Sequence, residues 1–319
     1  MKKIAILTSG GDAPGMNACI RAVVRGALNN GLEVFGVERG YNGLVHGEIF
    51  PMDSHSVCDI IQRGGTLLKT ARCLEFKDPA VRKQAADNLK KLGIEGLVVI
   101  GGDGSFTGAK LLSDEQGINV VGIPGTIDND LAYTDYTLGF DTAVNTVLWA
   151  INALRDTMTS HDRVSLVKVM GRRCGDIALY AGICGGAEYI LVPEVPYDIQ
   201  KIANEIKHNR ETGKTANVIV LAEGAGNENE IKTIVSVISG ADVKITALGH
   251  IQRGGSPSMA DRMLAAKFGY HAVKLLMADK TNRVIGCHGQ KTIDLDITEA
   301  LSMKKDIDKK LYDMAAKLC

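Results

Sequence analysis

Short apolar and β-branched runs recur along the chain, separated by segments of helical pattern, and most end in a cluster of glycines and polar residues. They cover residues 3–8, 33–37, 96–100, 120–123, 165–170, 189–192, 218–222 and 244–248. A strand that is apolar on both faces must be covered on both, and the helices between such strands supply the cover. The pattern predicts an α/β fold of right-handed βαβ units, with mainly parallel, doubly wound, Rossmann-like sheets. With 319 residues, the chain is long enough for two such domains.

A boundary is expected after Leu138-Gly139-Phe140, where a helix over residues 141 to about 160 would carry the chain into a second sheet. No linker rich in Pro, Gly or Ser marks it. IQRGGT at 61–66 echoes IQRGGS at 251–256, but one such match is too short for a repeat and reads as coincidence.

Charge and targeting signals narrow the function classes. Lys and Arg total 37, as do Asp and Glu. No global field therefore attracts nucleic acid or an anionic membrane, and anion binding must come from local clusters. Met1-Lys2-Lys3 followed by Ile4-Ala5-Ile6-Leu7 opens like a signal peptide, yet Thr8-Ser9-Gly10-Gly11-Asp12 ends the apolar run at once. No run approaches the ~20 apolar residues of a membrane span, so a cytoplasmic protein is expected. The seven cysteines, Cys19, Cys58, Cys73, Cys174, Cys184, Cys287 and Cys319, form no CxxC pair. Most stand in apolar or glycine-rich surroundings, as reduced structural thiols do. The seven histidines show no HxxxH spacing, which argues against a structural transition-metal site.

In a doubly wound sheet ligands bind beyond the carboxyl ends of the strands, and here those ends read TSGGDAPG, GGDGS, PGTIDND, MGRRCGD, AEGAG and GHIQRGG. In LVVIGGDGS (97–105) the glycines let backbone N–H groups approach a ligand. Ser105 stands at a helix start, where unpaired donors and the dipole favour phosphate. The lysine of a P-loop is missing. Asp103 suggests Mg²⁺, which takes one or two carboxylates plus phosphate oxygens and water; a tight turn with a capping aspartate is the alternative.

In Pro124-Gly125-Thr126-Ile127-Asp128-Asn129-Asp130, the two acids on an extended segment would point the same way, and one could accept the proton of an attacking hydroxyl. Arg72, Arg163, Arg172 and Arg253 stand beside strand ends or glycine turns. Singly each reads as a surface charge; together they fit a site for two phosphorylated ligands. Ser160-His161-Asp162 is no hydrolase triad, since three consecutive residues cannot fold back on one another. Residues 8–17 make a further phosphate site or a capped turn. Arg21 and Arg25, at i,i+4 on the following helix, make a second anion site or a solvated face.

Taken in order, LTSGGDAPGMNA, GGDGS, PGTIDND, MGRRCGD and GHIQRGGSP resemble the bacterial ATP-dependent 6-phosphofructokinases over the whole chain. The resemblance implies a larger ATP-binding domain over 1–140 plus about 252–305, and a smaller sugar-phosphate domain over 141–251 plus a C-terminal helix at about 306–319. It implies a homotetramer with active sites shared across one interface and effector sites at another. The implied glycolytic reaction moves the γ-phosphate of ATP to the 1-hydroxyl of fructose 6-phosphate with Mg²⁺, giving fructose 1,6-bisphosphate and ADP. ADP or phosphoenolpyruvate would be the effector.

Matched position by position, the resemblance gives Gly11, Arg72, Cys73, Gly102, Asp103, Gly104 and Ser105 to ATP, with Asp103 on the metal. Asp128 would be the general base, with Thr126 beside the transferring group and Arg172 at the reacting phosphate. Met170, Gly171 and Glu223 would hold the sugar, and Ile127, Ile251 and Gln252 would join the substrate set. His250 and Arg253 would bind the 6-phosphate, as would Arg163 and Lys244 from the neighbouring subunit. Pyrophosphate-dependent relatives carry aspartate and lysine where this chain has Gly104 and Gly125, so ATP is the implied donor.

Two departures stand out. Lys244 occupies a position that is usually arginine, keeping the charge and losing the bidentate fork. At the effector site Arg21, Arg25, Asp59, Arg155, Gly186, Glu188 and Lys214 match, whereas Thr212 and Ala216 replace basic residues, which implies a weaker response. A kinase of a related sugar phosphate such as tagatose 6-phosphate, and a non-catalytic nucleotide-binding paralogue, are the alternative readings.

Overall fold

The computed structural model describes residues 1–318, so Cys319 and the last position of the expected C-terminal helix lie outside the described residues. The chain forms two compact units. Unit 1 comprises Met1–Ile127, Leu131–Thr142 and Arg253–Lys304, and unit 2 comprises Asp128–Asp130, Ala143–Gln252 and the chain from Lys305.

Unit 1 is built on β1 (Lys3–Thr8), β2 (Glu33–Val37), β3 (Ile49–Met52), β4 (Gly96–Gly101), β5 (Asn119–Pro124), β10 (Arg283–His288) and β11 (Lys291–Asp296). They form one seven-stranded sheet in the order β11-β10-β5-β4-β1-β2-β3. The five inner strands are parallel, while β3 and β11 pair antiparallel at the two edges. Strand alternation divides the core. Ala5, Leu7, Leu97, Val99 and Val120 pack with side chains of α2 (Gly40–His46), α3 (Pro79–Lys91) and α4 (Asp103–Gln116). Ile4, Ile6, Val98, Ile100, Val121 and Ile123 are equally buried on the other face. Also in this unit, α1 (Met16–Asn29) and α9 (Met259–Met277) pack on one another, and α10 (Ile297–Ser302) packs on α4.

Three of these strands, β3, β10 and β11, lie outside the runs from which strands are expected. The edge strand β3 is only IFPM, and its Pro51 is tolerated because an edge strand leaves one row of N–H groups outside the ladder. Strands β10 and β11 make a hairpin whose register pairs His288 with Lys291 across two turn residues, with Gly289 at φ 56°. The doubly wound, mainly parallel reading holds, with antiparallel edges added.

Helix α5 (Phe140–His161) is the long helix expected near the boundary, and the chain passes from unit 1 to unit 2 within its first turn. Unit 2 contains β6 (Val164–Val169), β7 (Tyr189–Leu191), β8 (Asn217–Ala222) and β9 (Val243–Ala247) in an all-parallel sheet ordered β7-β8-β6-β9. Around this sheet lie α6 (Asp176–Cys184), α7 (Ile199–Glu211), α8 (Glu228–Ser239) and α11 (Lys309–Leu318). Val164, Leu166, Ile219 and Leu221 bury one face of the sheet with Ala203, Ile206, Ile231 and Val235 of α7 and α8. Asp198 and Asn227 cap those two helices by accepting first-turn N–H groups. Of the cysteines, Cys19, Cys174 and Cys287 are buried and Cys73 is half-buried, but Cys58 and Cys184 are exposed.

Candidate active site

In unit 1 the crossovers from β1 and β4 leave in opposite directions, toward β2 and β5, so the carboxyl ends of β1 and β4 frame a crevice. Two glycine turns meet there. The Ser9 N–H donates to the Ile100 carbonyl at 2.9 Å. A Cβ on Gly101 would come within 2.7 Å of the Ser9 carbonyl oxygen and 2.5 Å of Ser105 Oγ. Only glycine permits that approach. At Gly102 and Gly104 a Cβ would meet nothing within 4 Å, so these two face open space at the start of α4. The Tyr41 hydroxyl donates to the Ser105 carbonyl at 2.5 Å, fixing the first turn of α4 from behind. Helix starts of this kind present unpaired N–H groups and the positive dipole end to an anion.

Asp103 is exposed as the first residue of α4. Among the described residues no three His, Cys, Asp or Glu side chains converge to hold a metal. One exposed carboxylate beside an anion-binding turn suits Mg²⁺ shared with phosphate oxygens and water, and no protein cage is needed. Around the first turn, Arg253 Nη1 donates to the Asp12 carbonyl at 3.1 Å, and a Cβ on Gly11 would sit 2.4 Å from the same nitrogen. The guanidinium thus lies across Gly11. The Thr70 hydroxyl donates to the Gly10 carbonyl at 2.8 Å, which ties the segment before exposed Arg72 and half-buried Cys73 to this loop. The two IQRGG stretches touch at their glycines, because a Cβ on Gly64 would strike the Gly255 carbonyl oxygen at 2.3 Å.

Strand β5 leads into the third cluster. Gly125 bridges Leu138, and the Thr126 carbonyl accepts the Thr137 hydroxyl at 2.6 Å. Ile127 is buried, and the chain enters unit 2 at Asp128. The expectation that Asp128 and Asp130 point the same way from an extended segment is not met. Asn129 between them takes φ 51°, a left-handed kink that breaks the two-residue alternation. Asp128 is 1% exposed, whereas Asp130 is half-buried.

In unit 2 the crossovers from β6 and β8 also leave in opposite directions. The loop after β6 carries Met170, Gly171 and Arg172, and the one after β8 starts at Glu223. The Arg172 N–H donates to Glu223 Oε1 at 2.8 Å, and a Cβ on Gly224 would strike the Arg172 carbonyl oxygen at 2.1 Å. With its backbone clamped at φ 54°, Arg172 sets Nε 3.2 Å from Asp128 Oδ2. Gln252 is fully buried, accepting the Met170 N–H at 3.2 Å and donating to the Gly249 carbonyl at 3.0 Å. His250 and Ile251 are exposed on the same short 3-10 turn.

Arg163 does not join Arg172, contrary to the expected cluster of arginines. It precedes β6 whereas Arg172 follows it, and six residues of strand span roughly 20 Å. At that amino edge Arg163 Nε and Lys244 Nζ both approach Asp242, at 3.0 and 3.1 Å. The Lys244 hydrogen bond, with Arg163, holds the Asp242 carboxyl below its usual range. Elsewhere in unit 2, Glu188 Oε1 lies 3.2 Å from Lys214 Nζ and 3.8 Å from Arg155 Nη1, and its other oxygen accepts the Val218 N–H. Arg155 also donates to the carbonyls of Gly185 and Gly186. Arg21, Arg25 and Asp59 belong to unit 1.

The model of the family described as Phosphofructokinase matches residues 3–276. The chain belongs to the phosphofructokinase family. It is 60% identical over 315 residues to an ATP-dependent 6-phosphofructokinase of Clostridium botulinum (strain Hall), covering 99% of this chain and 98% of that protein. It is also 60% identical over 318 residues to the ATP-dependent 6-phosphofructokinase of Clostridium tetani, covering 100% and 99%. A Saccharomyces cerevisiae phosphofructokinase structure superposes with a TM-score of 0.90 at 37% identity over all of this chain, which spans 48% of that one. A pyrophosphate-dependent phosphofructokinase from Marinobacter aquaeolei matches with a TM-score of 0.88 over 100% of this chain and 91% of that one, at 21% identity, and shows the fold alone.

Three polar residues went unassigned in the sequence although two stand inside quoted motifs. Asn129 and Asp176 lie in PGTIDND and MGRRCGD, and Asp242 lies two residues before Lys244. An amide beside a candidate base points to Asn129, and an acid close to two candidate phosphate-binding cations points to Asp242; Asp176 carries no such local signal.

Proposed function

We propose that the chain is an ATP-dependent 6-phosphofructokinase, transferring the γ-phosphate of ATP to the 1-hydroxyl of fructose 6-phosphate. The observation that carries the mechanism is Asp128, a buried carboxylate with the exposed guanidinium of Arg172 at 3.2 Å. A carboxylate base with a cation beside it suits phosphoryl transfer to a hydroxyl, which needs a proton acceptor and stabilisation of the transferring group's charge. ATP lies with its phosphates along the turns of Gly11 and of Gly102, Gly104 and Ser105, flanked by Arg72 and Cys73. Asp103 would hold Mg²⁺, which when bound neutralises phosphate oxygens.

On the sugar side, Met170, Gly171, Glu223 and the turn from His250 to Arg253 orient fructose 6-phosphate. The carboxylate of Asp128 takes the proton of the 1-hydroxyl as its oxygen attacks the γ-phosphorus. A new O–P bond forms, the bond from the γ-phosphorus to the β–γ bridging oxygen breaks, and ADP leaves with that oxygen. Arg172 turns from Asp128 to the transferring group and offsets its charge, with Thr126 beside it. The role of the missing P-loop lysine is distributed over Arg72, Arg172 and the Mg²⁺ that Asp103 would hold.

Arg163 and Lys244 sit at the amino edge of the unit 2 sheet, away from the carboxyl edge of Arg172. As 6-phosphate ligands they would serve a neighbouring subunit, in line with the homotetramer with shared active sites that the family resemblance implies. The cluster of Arg155, Gly186, Glu188 and Lys214, with Arg21, Arg25 and Asp59, is read as an effector site for ADP or phosphoenolpyruvate in a cytoplasmic enzyme. Its 60% identity to ATP-dependent 6-phosphofructokinases over the full chain supports turnover over a non-catalytic paralogue.

The test offers fructose 6-phosphate and Mg²⁺ with ATP and with pyrophosphate separately, and follows fructose 1,6-bisphosphate. Product with ATP alone supports the whole reading. Product with pyrophosphate alone overturns the donor, and silence with both, from folded protein that binds ATP, overturns the reaction.

A further inference from the structure

Asn129 separates Asp128 from Asp130 and is itself 1% exposed. Its side-chain amide Nδ2 donates to Asp176 Oδ2 at 2.8 Å, a buried bond spanning 47 residues of sequence. Asp176 opens α6, is 5% exposed and meets a cation: Lys305 Nζ lies 3.3 Å from the same oxygen. Lys305 is the first residue of the C-terminal stretch that returns to unit 2. Two neighbours reinforce the arrangement. Cys174 Sγ points at the Asn129 carbonyl at 3.8 Å, and Glu194 Oε1 accepts the Gly175 N–H at 2.8 Å, fixing the residue before Asp176.

These contacts have a common consequence for the backbone. A non-glycine residue at φ 51° is held against its own preference, and asparagine is among the few that tolerate it. The kink turns Asp130 away and leaves a single carboxylate, Asp128, against Arg172. If Asn129 relaxed to an extended conformation, the direction of Asp128 would change with it. Displacing a reacting group by about 1 Å costs on the order of 10² in rate.

We propose that Asp176, charge-balanced by Lys305, is a positioning residue for the phosphoryl-transfer base, holding Asn129 in its left-handed kink so that Asp128 faces Arg172. This rests on the proposed kinase reaction. Asp176 touches no substrate in this scheme; it acts through Asn129, and the C-terminal segment acts through Asp176. The unpaired charge that loss of Lys305 would leave is a second way to loosen the same kink.

The test is a double-mutant cycle in the full-length enzyme, read as kcat and KM for fructose 6-phosphate with ATP. Asp176→Ala is combined with Asn129→Gly, since glycine accepts the left-handed conformation without the amide. Wild-type turnover is measured first; silence there removes the kinase reading and this inference together. Given turnover, Asp176→Ala is expected to lower kcat about 10- to 100-fold with KM changed less than about 3-fold. Asp176→Asn, which keeps an acceptor, should be several-fold milder, and Lys305→Met should lower kcat about 3- to 10-fold. The double variant should be no slower than Asn129→Gly alone. Unchanged kcat in Asp176→Ala, or losses that multiply in the double variant, overturns the proposal while leaving the kinase reading intact. Should Asp176→Ala fail to fold, the same cycle with Asp176→Asn decides, and wild-type kcat in that variant overturns the proposal.

Discussion

Arg172 Nε stands 3.2 Å from Asp128 Oδ2, pairing a side chain that is 66% exposed with one that is 1% exposed. The carboxylate is enclosed by protein and the cation faces solvent, so the two halves of the pair fail differently. Asp128→Ser should lower kcat by roughly 10²–10⁴, while calorimetric titration shows fructose 6-phosphate affinity within about 3-fold of wild type. Arg172→Lys keeps the charge and loses the planar fork, so kcat should fall by at least about 10-fold. Retained turnover in Asp128→Ser would remove the base from the mechanism.

Gly104 and Gly125, both expected to select ATP, have different surroundings. A Cβ on Gly104 meets nothing within 4 Å, but on Gly125 it would come within 2.7 Å of Ile100 Cγ2 and 3.0 Å of Met16 Cε. Gly104→Asp should therefore melt within about 0.5 kcal/mol of wild type, helped by the dipole of α4, while its carboxylate raises the KM for ATP at least about 10-fold. Gly125→Lys should lose about 1–3 kcal/mol by overpacking before donor choice is considered. Equal stability losses in the two variants, by calorimetry, would contradict this division.

What the sequence made legible follows burial and locality. Strands β1, β4, β6 and β8 are covered on both faces, and their unbroken apolar runs report it. Strands β3 and β11 are the antiparallel edges, where a short strand needs no such run, whereas β10 carries a buried run of its own, Val284 to Cys287, that a glycine interrupts. Strand-end glycines announced the loops that carry Asp103, Asp128 and Arg172. Their partners were not announced. Asn129 with Asp176, Arg172 with Glu223, and Arg163 with Asp242 are 47, 51 and 79 residues apart, and a pairing at that range leaves no period in the sequence. The left-handed turn at Asn129 was equally silent, because asparagine tolerates that conformation without requiring it.

Asp242 holds both Arg163 and Lys244, the two cations read as reaching a neighbour's 6-phosphate. A phosphate must draw them off this carboxylate to bind. Asp242→Asn should therefore lower the KM for fructose 6-phosphate several-fold with kcat within about 2-fold, because exposed ion pairs contribute little to stability on their own. Lys244→Arg restores a fork and should act in the same direction. A higher KM in Asp242→Asn would instead make the carboxylate an organiser of the two cations.

Thr212 caps the end of α7, its hydroxyl donating to the His208 and Asn209 carbonyls, and so contributes no charge beside Lys214. With Ala216 also neutral, ADP and phosphoenolpyruvate should shift the fructose 6-phosphate dependence less than in a Thr212→Arg, Ala216→Lys variant. Steady-state titrations of both proteins check this, and an equal response would mean that Lys214, Arg155 and the unit 1 arginines suffice.

Asp261 joins three donors at the start of α5: Oδ1 accepts the Gly139 N–H at 2.8 Å, and Oδ2 accepts the Thr142 N–H at 2.8 Å and the Thr142 hydroxyl. Burial nevertheless dominates and pushes its pKa up to about 6. A carboxyl whose folded pKa exceeds its unfolded value near 3.9 binds its proton more readily when folded, so stability increases as pH falls through 6 and the gain is absent above it. From pH 7 to pH 5 this group alone should add about 1 kcal/mol. Other carboxyls, among them Glu115 and Asp294, are held below their usual range and work in the opposite sense lower down, so the informative quantity is a difference. Asp261→Asn does not titrate and mismatches the donors, so it should be less stable at pH 7, and the gap to wild type should widen toward pH 5. A gap that narrows on acidification would mean that the three hydrogen bonds outweigh burial and keep Asp261 ionised.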